Sequence, residues 1–285
     1  MKNVKWFSMF FFAAFMACNT PDNKSSEHAQ VAKDSAARDT ASQTTHVVAD
    51  NLVKSEAPDA ETKEDQGYAL PAKVGGHAQS PVNLVSLKAE KDQSPAVSMK
   101  FTTGIDAAEN LGHTIQVDFK AGSTSILRGK SFTPKQFHFH TPSEHLVDGI
   151  TFPMEMHIVN MANDTAQNAS PRIMVIGILF KMGQENKFLQ EFLKDVPDEE
   201  GHKNAIQPGA VRLEDLLSQI PPKDQNAYFT YKGSLTTAPF SENVDWVVLK
   251  HVLEASPEQI AAIQKLEGNN ARHVHELFDR KLYVH

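Results

Sequence analysis

Two short segments in which apolar and polar residues alternate constrain the fold of this chain more than any other feature of its sequence. Residues 136–140 read Gln-Phe-His-Phe-His, and residues 154–159 read Met-Glu-Met-His-Ile-Val. Successive side chains of a strand point to opposite faces of a sheet, so His138 and His140 share one face. The connection between the segments contains Asp148-Gly149, a dipeptide typical of tight turns. We therefore predict that the two segments pair as antiparallel strands.

The histidines of these segments are spaced for metal binding. Two imidazoles on neighbouring same-face positions of a strand lie roughly 6–7 Å apart at their Cβ atoms, a gap that one metal ion can bridge. His157 on the second segment offers a third nitrogen, and a catalytic zinc site requires three protein ligands and one open position. Glu155 lies on the same face and can fix the tautomer of His157. Taken alone, the His138–His140 pair is equally compatible with a half-buried strand whose polar face carries histidines.

Composition limits the classes of function. The chain has 285 residues, 40% of them hydrophobic, and a formal net charge of −7. This length allows one or two domains. The mild acidity and the lack of a lysine and arginine stripe argue against nucleic acid as a partner. No internal repeat is present.

The first 17 residues are predicted to be a signal peptide. Lys2 and Lys5 precede an apolar stretch, residues 7–17, which is too short to span a membrane. The single cysteine, Cys18, follows Ala17 directly, and residues 15–18 resemble a bacterial lipobox. We expect cleavage and acylation at Cys18, which would make the protein a periplasmic or surface-exposed lipoprotein anchored to a membrane of the bacterial cell envelope. The alternative is an ordinary signal peptide with a coincidental cysteine.

The mature chain is predicted to consist of a tether and one folded domain. Residues 18–66 are rich in small, polar and charged residues, and such a segment cannot bury enough apolar surface to offset its chain entropy. Residues 67–285 form the predicted domain. Because Cys18 is the only cysteine, a disulfide within this chain is excluded.

Local patterns predict mostly strands in this domain, together with a few helices. Residues 114–119 alternate, and residues 173–180 form a continuous apolar run, which is typical of a strand buried on both faces. Apolar residues follow helical spacing within 188–193 and 213–220. Residues 256–259, Ser-Pro-Glu-Gln, form a capping box with proline at the first helical position, which predicts the start of a third helix.

The segments 136–140, 143–145 and 154–159 together resemble the zinc-binding core of the α-class carbonic anhydrases. Other segments resemble elements of that family and occur in the same order, namely residues 79–84, 110–113, 175–181, 228–237, 244–246 and 270–272. The resemblance extends from about residue 68 to residue 272 or beyond. It implies a mainly β fold with a large twisted, mostly antiparallel central sheet, peripheral helices and a zinc ion in a conical cleft.

The resemblance also implies an activity. Zn²⁺ held by the three histidines would carry a hydroxide that attacks carbon dioxide, giving bicarbonate and a proton. Thr236 would orient that hydroxide and pass its own hydrogen to Glu144. His113 would act as the proton shuttle, since the unperturbed pKa of histidine suits such transfer near neutral pH.

Further residues are expected to support this chemistry. Three of them should orient the metal ligands through hydrogen bonds: Gln136 for His138, Glu155 for His157, and the backbone near Asn270 for His140. His145 is expected to be a hydrogen-bonded structural residue. Six residues match the family's substrate pocket, although core packing would equally explain the apolar ones: Val159, Val175, Leu235, Thr237, Val244 and Trp246.

Two other functions are compatible with the fold. A catalytically silent binding module would be expected to lose the zinc histidines, and this chain keeps all three. A zinc-dependent esterase for larger esters is disfavoured by the narrow apolar pocket. The sequence departs from the family upstream of residue 79, where only Tyr68 remains of an aromatic segment, so we expect a more open cleft. Homodimer formation is left open.

Overall fold

The computed structural model of this protein describes residues 76–102, 104–163 and 172–285. The predicted signal peptide, Cys18, the tether and Tyr68 lie outside these ranges, so the boundaries after residues 17 and 66 stay predictions. Within the described ranges, none of the helices has the length and apolar character needed to cross a membrane.

Strands dominate the described residues. In chain order they are β1 (Asn83–Leu84), β2 (Glu90–Lys91), β3 (Ser98–Thr102), β4 (Ile105–Asn110), β5 (Ile115–Phe119), β6 (Thr124–Leu127), β7 (Lys130–His140), β8 (Leu146–Val147), β9 (Met154–Ala162), β10 (Ile173–Met182), β11 (Lys203–Ala205), β12 (Tyr228–Gly233), β13 (Val244–Leu249), β14 (Leu253–Ala255) and β15 (Tyr283–Val284).

Thirteen of these strands form one sheet, and β1 and β8 form a separate parallel pair. The main order is β11-β4-β5-β7-β9-β10-β13-β12-β15-β2, with β14 beside β10 and β6 beside both β3 and β7. Most neighbours are antiparallel, whereas β10 runs parallel to β13 and β14, and β15 runs parallel to β2. The predicted fold class, mainly β with a large and mostly antiparallel sheet, is confirmed.

The helices also lie where helical spacing predicted them. They are α1 (Lys187–Leu193), α2 (Leu213–Leu217) and α3 (Pro257–Glu267). The capping box of α3 is formed, with Ser256 Oγ accepting from Gln259 N at 3.2 Å and Gln259 Oε1 accepting from Ser256 N at 3.1 Å. The helical spacing within 213–220 predicted a longer helix than the observed α2, which ends three residues before the end of that segment. Two prolines follow Ile220, and the helical conformation is disfavoured for a residue that precedes proline.

Two apolar clusters bury the sheet from both sides. The first joins one face of the sheet to the three helices and includes Phe137, Phe139, Met156, Phe192 and Ile263. The second lies against other side chains of the same central strands and includes Val175, Val244 and Trp246. This explains the continuous apolar run of β10, because a strand covered on both faces has no solvent side on which to place polar residues.

The pairing of β7 with β9 brings the histidine-bearing segments together. The strands are antiparallel, with His138 opposite His157 and His140 opposite Glu155. The predicted turn is formed at Asp148 and Gly149, whose φ values are 51° and 82°. Two consecutive positive φ values match the tight hairpin turn that favours Asp-Gly. The predicted antiparallel pairing is therefore confirmed.

Candidate metal centre

Three imidazoles converge on one point between β7 and β9. The candidate ligand nitrogens of His138, His140 and His157 all lie within 4.8 Å of one another. The ring centroids are 4.6–5.3 Å apart. His140 and His157 are buried and His138 is half-buried. The sheet register produces this convergence, since His138 and His157 are direct cross-strand partners and His140 is the next same-face residue.

Each ring has one nitrogen held by an oxygen, which leaves the other nitrogen available as a metal ligand. The three contacts are His138 Nδ1 to Gln136 Oε1 at 2.9 Å, His140 Nδ1 to Asn270 O at 3.4 Å, and His157 Nε2 to Glu155 Oε1 at 2.9 Å. Oxygens of these types only accept hydrogen bonds, so each contacted nitrogen must carry the hydrogen. The opposite nitrogens therefore present lone pairs. One of them, His140 Nε2, is buried and has no hydrogen-bond partner among the described residues.

Burial keeps these rings neutral. Desolvation lowers the pKa of His140 to about 4, lowers that of His138 well below its ordinary value, and lowers that of His157. Neutral imidazole is the form that binds a metal ion, so near neutral pH no proton has to be displaced first. Three converging lone pairs, one of them on an orphaned buried nitrogen, match the donor set of a zinc site with an open fourth position.

Glu155 organises the inner side of this site. Its carboxylate is fully buried and accepts hydrogen bonds from the backbone N–H groups of Glu144 and His145, at 3.0 and 2.8 Å. Its other oxygen contacts His145 Nδ1 at 2.8 Å and His157 Nε2 at 2.9 Å. His145, Glu155 and His157 also lie close enough to form a second metal-binding group, but their mutual hydrogen bonds already occupy these atoms.

Gly177 in β10 makes room for that carboxylate. It lies opposite His157 in the sheet, and a Cβ atom there would stand 2.8 Å from Glu155 Oε1. Any other residue at this position would displace the side chain that holds His157.

A buried polar chain leads away from Glu155. His145 Nε2 lies 2.7 Å from the Tyr231 hydroxyl, which lies 2.9 Å from Ser80 Oγ. Ser80 Oγ in turn accepts from Ser234 N at 3.1 Å. Burial raises the pKa of Tyr231 well above its ordinary value, so its phenol stays neutral. The structure thus places His145 as a hydrogen-bonded structural residue, while its partner Tyr231 and the contact of Tyr231 with Ser80 were not predicted.

Glu144 lies at the rim of the three-histidine site. Its Oε1 accepts from Arg272 N at 3.0 Å, and its Oε2 lies 3.5 Å from His140 Nε2 and 3.8 Å from His157 Nδ1. Burial raises the pKa of this carboxyl, against opposing effects of His157, the Arg272 amide and the Thr236 hydroxyl. Its Oε2 has no hydrogen-bond partner among the described residues, and the Thr236 hydroxyl is near enough to lower the pKa of the carboxyl.

The predicted pocket residues gather beside the metal centre. Val175, Val244 and Trp246 belong to the second apolar cluster, and Val159 and Leu235 pack against it. The Trp246 ring lies 4.8 Å from that of His157, and its Nε1 donates to Ser234 O at 3.0 Å. Thr237 is half-buried in the segment that follows Leu235 and Thr236. An apolar wall therefore borders the site.

His113 lies at the exposed end of the site. Its side chain is exposed, and its positive charge, when present, lowers the pKa of His138. Its carbonyl accepts from Asn270 Nδ2 at 2.8 Å. The same Asn270 contacts His140, so one residue links the predicted shuttle to a predicted ligand.

Comparison with known proteins gives a consistent result. Residues 63–284 match the family model for eukaryotic-type carbonic anhydrase. A carbonic anhydrase of Pectobacterium carotovorum is 37% identical over 65% of this chain and 70% of its own length, and one from Nostoc sp. is 36% identical over 72% and 75%. A solved α-carbonic anhydrase of Thermovibrio ammonificans, in complex with the inhibitor sulfanilamide, aligns with a TM-score of 0.66 at 36% identity, covering 73% of this chain and 87% of its own. The chain belongs to the eukaryotic-type, or α-class, carbonic anhydrase family.

Proposed function

We propose that this protein catalyses the reversible hydration of carbon dioxide to bicarbonate and a proton, with Zn²⁺ held by His138, His140 and His157. The observation that carries the proposal is the convergence of three neutral imidazoles whose candidate ligand nitrogens all lie within 4.8 Å of one another. A bound zinc ion would supply positive charge that makes water acidic enough to ionise near neutral pH, an effect for which carbonic anhydrases are the standard example.

Thr236 and Glu144 supply orientation. A hydroxyl that donates its hydrogen to a buried carboxylate has only lone pairs left to offer. Thr236 then accepts a hydrogen bond from an attacking hydroxide, and this turns the hydroxide's own lone pair toward the substrate carbon. Misplacing a reacting atom by an ångström can cost about 100-fold in rate, so this orientation of the hydroxide has a large effect on the reaction rate.

The apolar wall supplies a place for the substrate. Carbon dioxide is small and carries no charge, so it can bind to an apolar surface that offers water few polar partners. That surface is formed by Val159, Val175, Leu235, Val244 and Trp246. Bicarbonate is charged and hydrated, and the same wall disfavours its retention. The half-buried Thr237 borders the exit side.

His113 is the proposed proton acceptor. Its exposed position beside the site lets it exchange a proton with buffer, and histidine is a side chain that commonly serves as a proton shuttle. It acts on the proton released in each turnover and has no role in holding the metal.

The direct test is stopped-flow measurement of carbon dioxide hydration by the zinc-loaded protein, together with metal analysis. We expect one zinc per chain and turnover that stays substantial at low buffer concentration, because an internal shuttle replaces buffer as the first proton acceptor. A zinc-loaded protein without hydration activity would contradict the proposal and favour a binding module.

Substitution of Thr236 by valine should separate orientation from metal binding. Valine keeps the shape of threonine but removes the hydroxyl, so we expect kcat/KM to fall by about 100-fold with zinc content unchanged. Substitution of the half-buried Thr237 by valine is the matched comparison and should have a much smaller effect. Equal losses in the two variants would contradict the role of Thr236.

We also propose that the protein is a bacterial envelope lipoprotein acylated at Cys18. The support is the position of the only cysteine directly after Ala17, at the end of an apolar stretch with basic residues before it. In cells given labelled palmitate, the wild-type protein should incorporate label and fractionate with membranes, and the Cys18→Ser variant should do neither. Label in the variant would contradict acylation at Cys18.

A further inference from the structure

Glu267 is a buried acid that the chemistry above does not use. It is the last residue of α3 and is 4% exposed. Its Oε2 accepts from Ile115 N at 3.4 Å, and its Oε1 lies 3.2 Å from Thr141 Oγ1. Among the described residues, no lysine, arginine or histidine forms an ion pair with it. A carboxylate in that setting would be a buried charge without a counter-ion, which is costly.

The hydrogen count at Thr141 indicates which form the carboxyl takes. The Thr141 hydroxyl donates to the Gly268 carbonyl at 2.8 Å, and a carbonyl can only accept. A hydroxyl has one hydrogen, so it has none left for Glu267. The remaining contact with Oε1 is a hydrogen bond only when the carboxyl carries a hydrogen and donates it to Thr141 Oγ1. Burial raises the pKa of Glu267 well above its ordinary value, which agrees with this count.

The segment that Glu267 fixes is the one that orients the metal centre. Thr141 follows His140 directly, and its N–H donates to Asn270 Oδ1 at 3.0 Å. Asn270 also donates from Nδ2 to the carbonyls of His113 and Phe139, at 2.8 and 3.1 Å, and its own carbonyl holds His140 Nδ1. The end of α3 and the end of β7 are thus bound to each other by adjacent hydrogen bonds, and Glu267 forms one of them.

We propose that Glu267 is a positioning residue of the metal centre: as a neutral carboxylic acid it donates to Thr141 and keeps Asn270 in register with His140 and His113. The inference rests on the proposed function, because it takes the three histidines as zinc ligands. The elements packed around Glu267 carry other titratable groups: Glu258 and the exposed Lys265 on α3, His113 ahead of β5 and Asp118 within it, and Lys130, Lys135, His138 and His140 on β7.

Two variants separate a neutral donor from a charged group. Glu267→Gln can donate from its amide to Thr141 and accept from Ile115, so it reproduces the neutral acid. Glu267→Ala removes both bonds. Zinc release from the loaded full-length protein would be followed with a chromogenic chelator. We expect Glu267→Gln to release zinc at close to the wild-type rate and Glu267→Ala to release it about 10-fold faster, as for other groups that support metal ligands.

The stability of the metal-free protein provides a second measurement, which does not depend on the alanine variant folding. An acid whose pKa is raised in the folded state stabilises the fold below its ordinary pKa of about 4.3, and this contribution is lost as the pH rises. Wild type should therefore lose stability relative to Glu267→Gln as the pH increases above that value. Parallel stability curves for the two proteins, or zinc release from Glu267→Gln as fast as from Glu267→Ala, would overturn the inference.

The outcomes are distinguishable from a failure of the proposed function. If the zinc-loaded protein does not hydrate carbon dioxide, the zinc-release and stability comparisons still decide the role of Glu267. If hydration is present but Glu267→Ala releases zinc at the wild-type rate, the positioning role alone is wrong.

Discussion

Substitution of His138 by alanine is expected to remove stoichiometric zinc and to lower carbon dioxide hydration by at least about 1000-fold. Two imidazoles remain in this variant, and a catalytic zinc site requires three protein ligands. The loss should be specific to the site, because His138 is only half-buried and its strand is hydrogen-bonded to neighbours on both sides. Zinc content after dialysis and stopped-flow hydration are the measurements.

His251→Ala is the matched control for that experiment. His251 is a partly exposed histidine that contacts Asp224 at 3.2 Å and lies outside the candidate metal centre. Its removal should leave both zinc content and hydration close to wild type. Retention of zinc and full activity in the His138 variant would show that the three-histidine site is not where the reaction occurs.

The second large effect is expected from Glu155→Gln, which changes one atom of a fully buried side chain. Two backbone N–H groups and two imidazole nitrogens converge on this carboxylate at 2.8–3.0 Å. An amide has only one accepting oxygen, so its NH₂ group would face donors. Leaving buried donors unsatisfied costs about 1–3 kcal/mol, and more where the acceptor was charged, so we expect a loss of about 3 kcal/mol in unfolding free energy.

Urea denaturation of the metal-free protein measures that loss, and chelator competition measures its effect on zinc. We expect zinc affinity to fall by 10- to about 100-fold, since His157 loses the group that fixes its tautomer. Glu90→Gln, at an exposed position on β2, is the comparison and should leave both quantities near wild type. Unchanged stability in Glu155→Gln would mean that the carboxylate is not the acceptor the geometry indicates.

The strands and helices that position the site follow from short-range sequence patterns. Alternation in residues 136–140 and 154–159, the Asp-Gly turn between them and the capping box at Ser256 each involve neighbours a few positions apart. Side-chain direction in a strand or a helix repeats with a fixed period, so these patterns report local structure directly. The end of α2 is an exception, because the helix ends before the last residue with helical spacing, Ile220. The prolines after Ile220 disfavour the helical conformation there.

The sequence alone determined that His138 and His140 share one strand face, because strand periodicity is local, whereas the register of β7 against β9 brings His157 to them. The resemblance to a known family added Thr236, Glu144 and His113. Only the tertiary structure decided how the site is held: Tyr231 lies 86 residues from His145, the Arg272 amide 128 from Glu144, and Glu267 126 from Thr141. These contacts are hydrogen bonds between groups that only chain folding brings together. No periodic pattern in the sequence indicates which distant residue a given donor or acceptor will pair with.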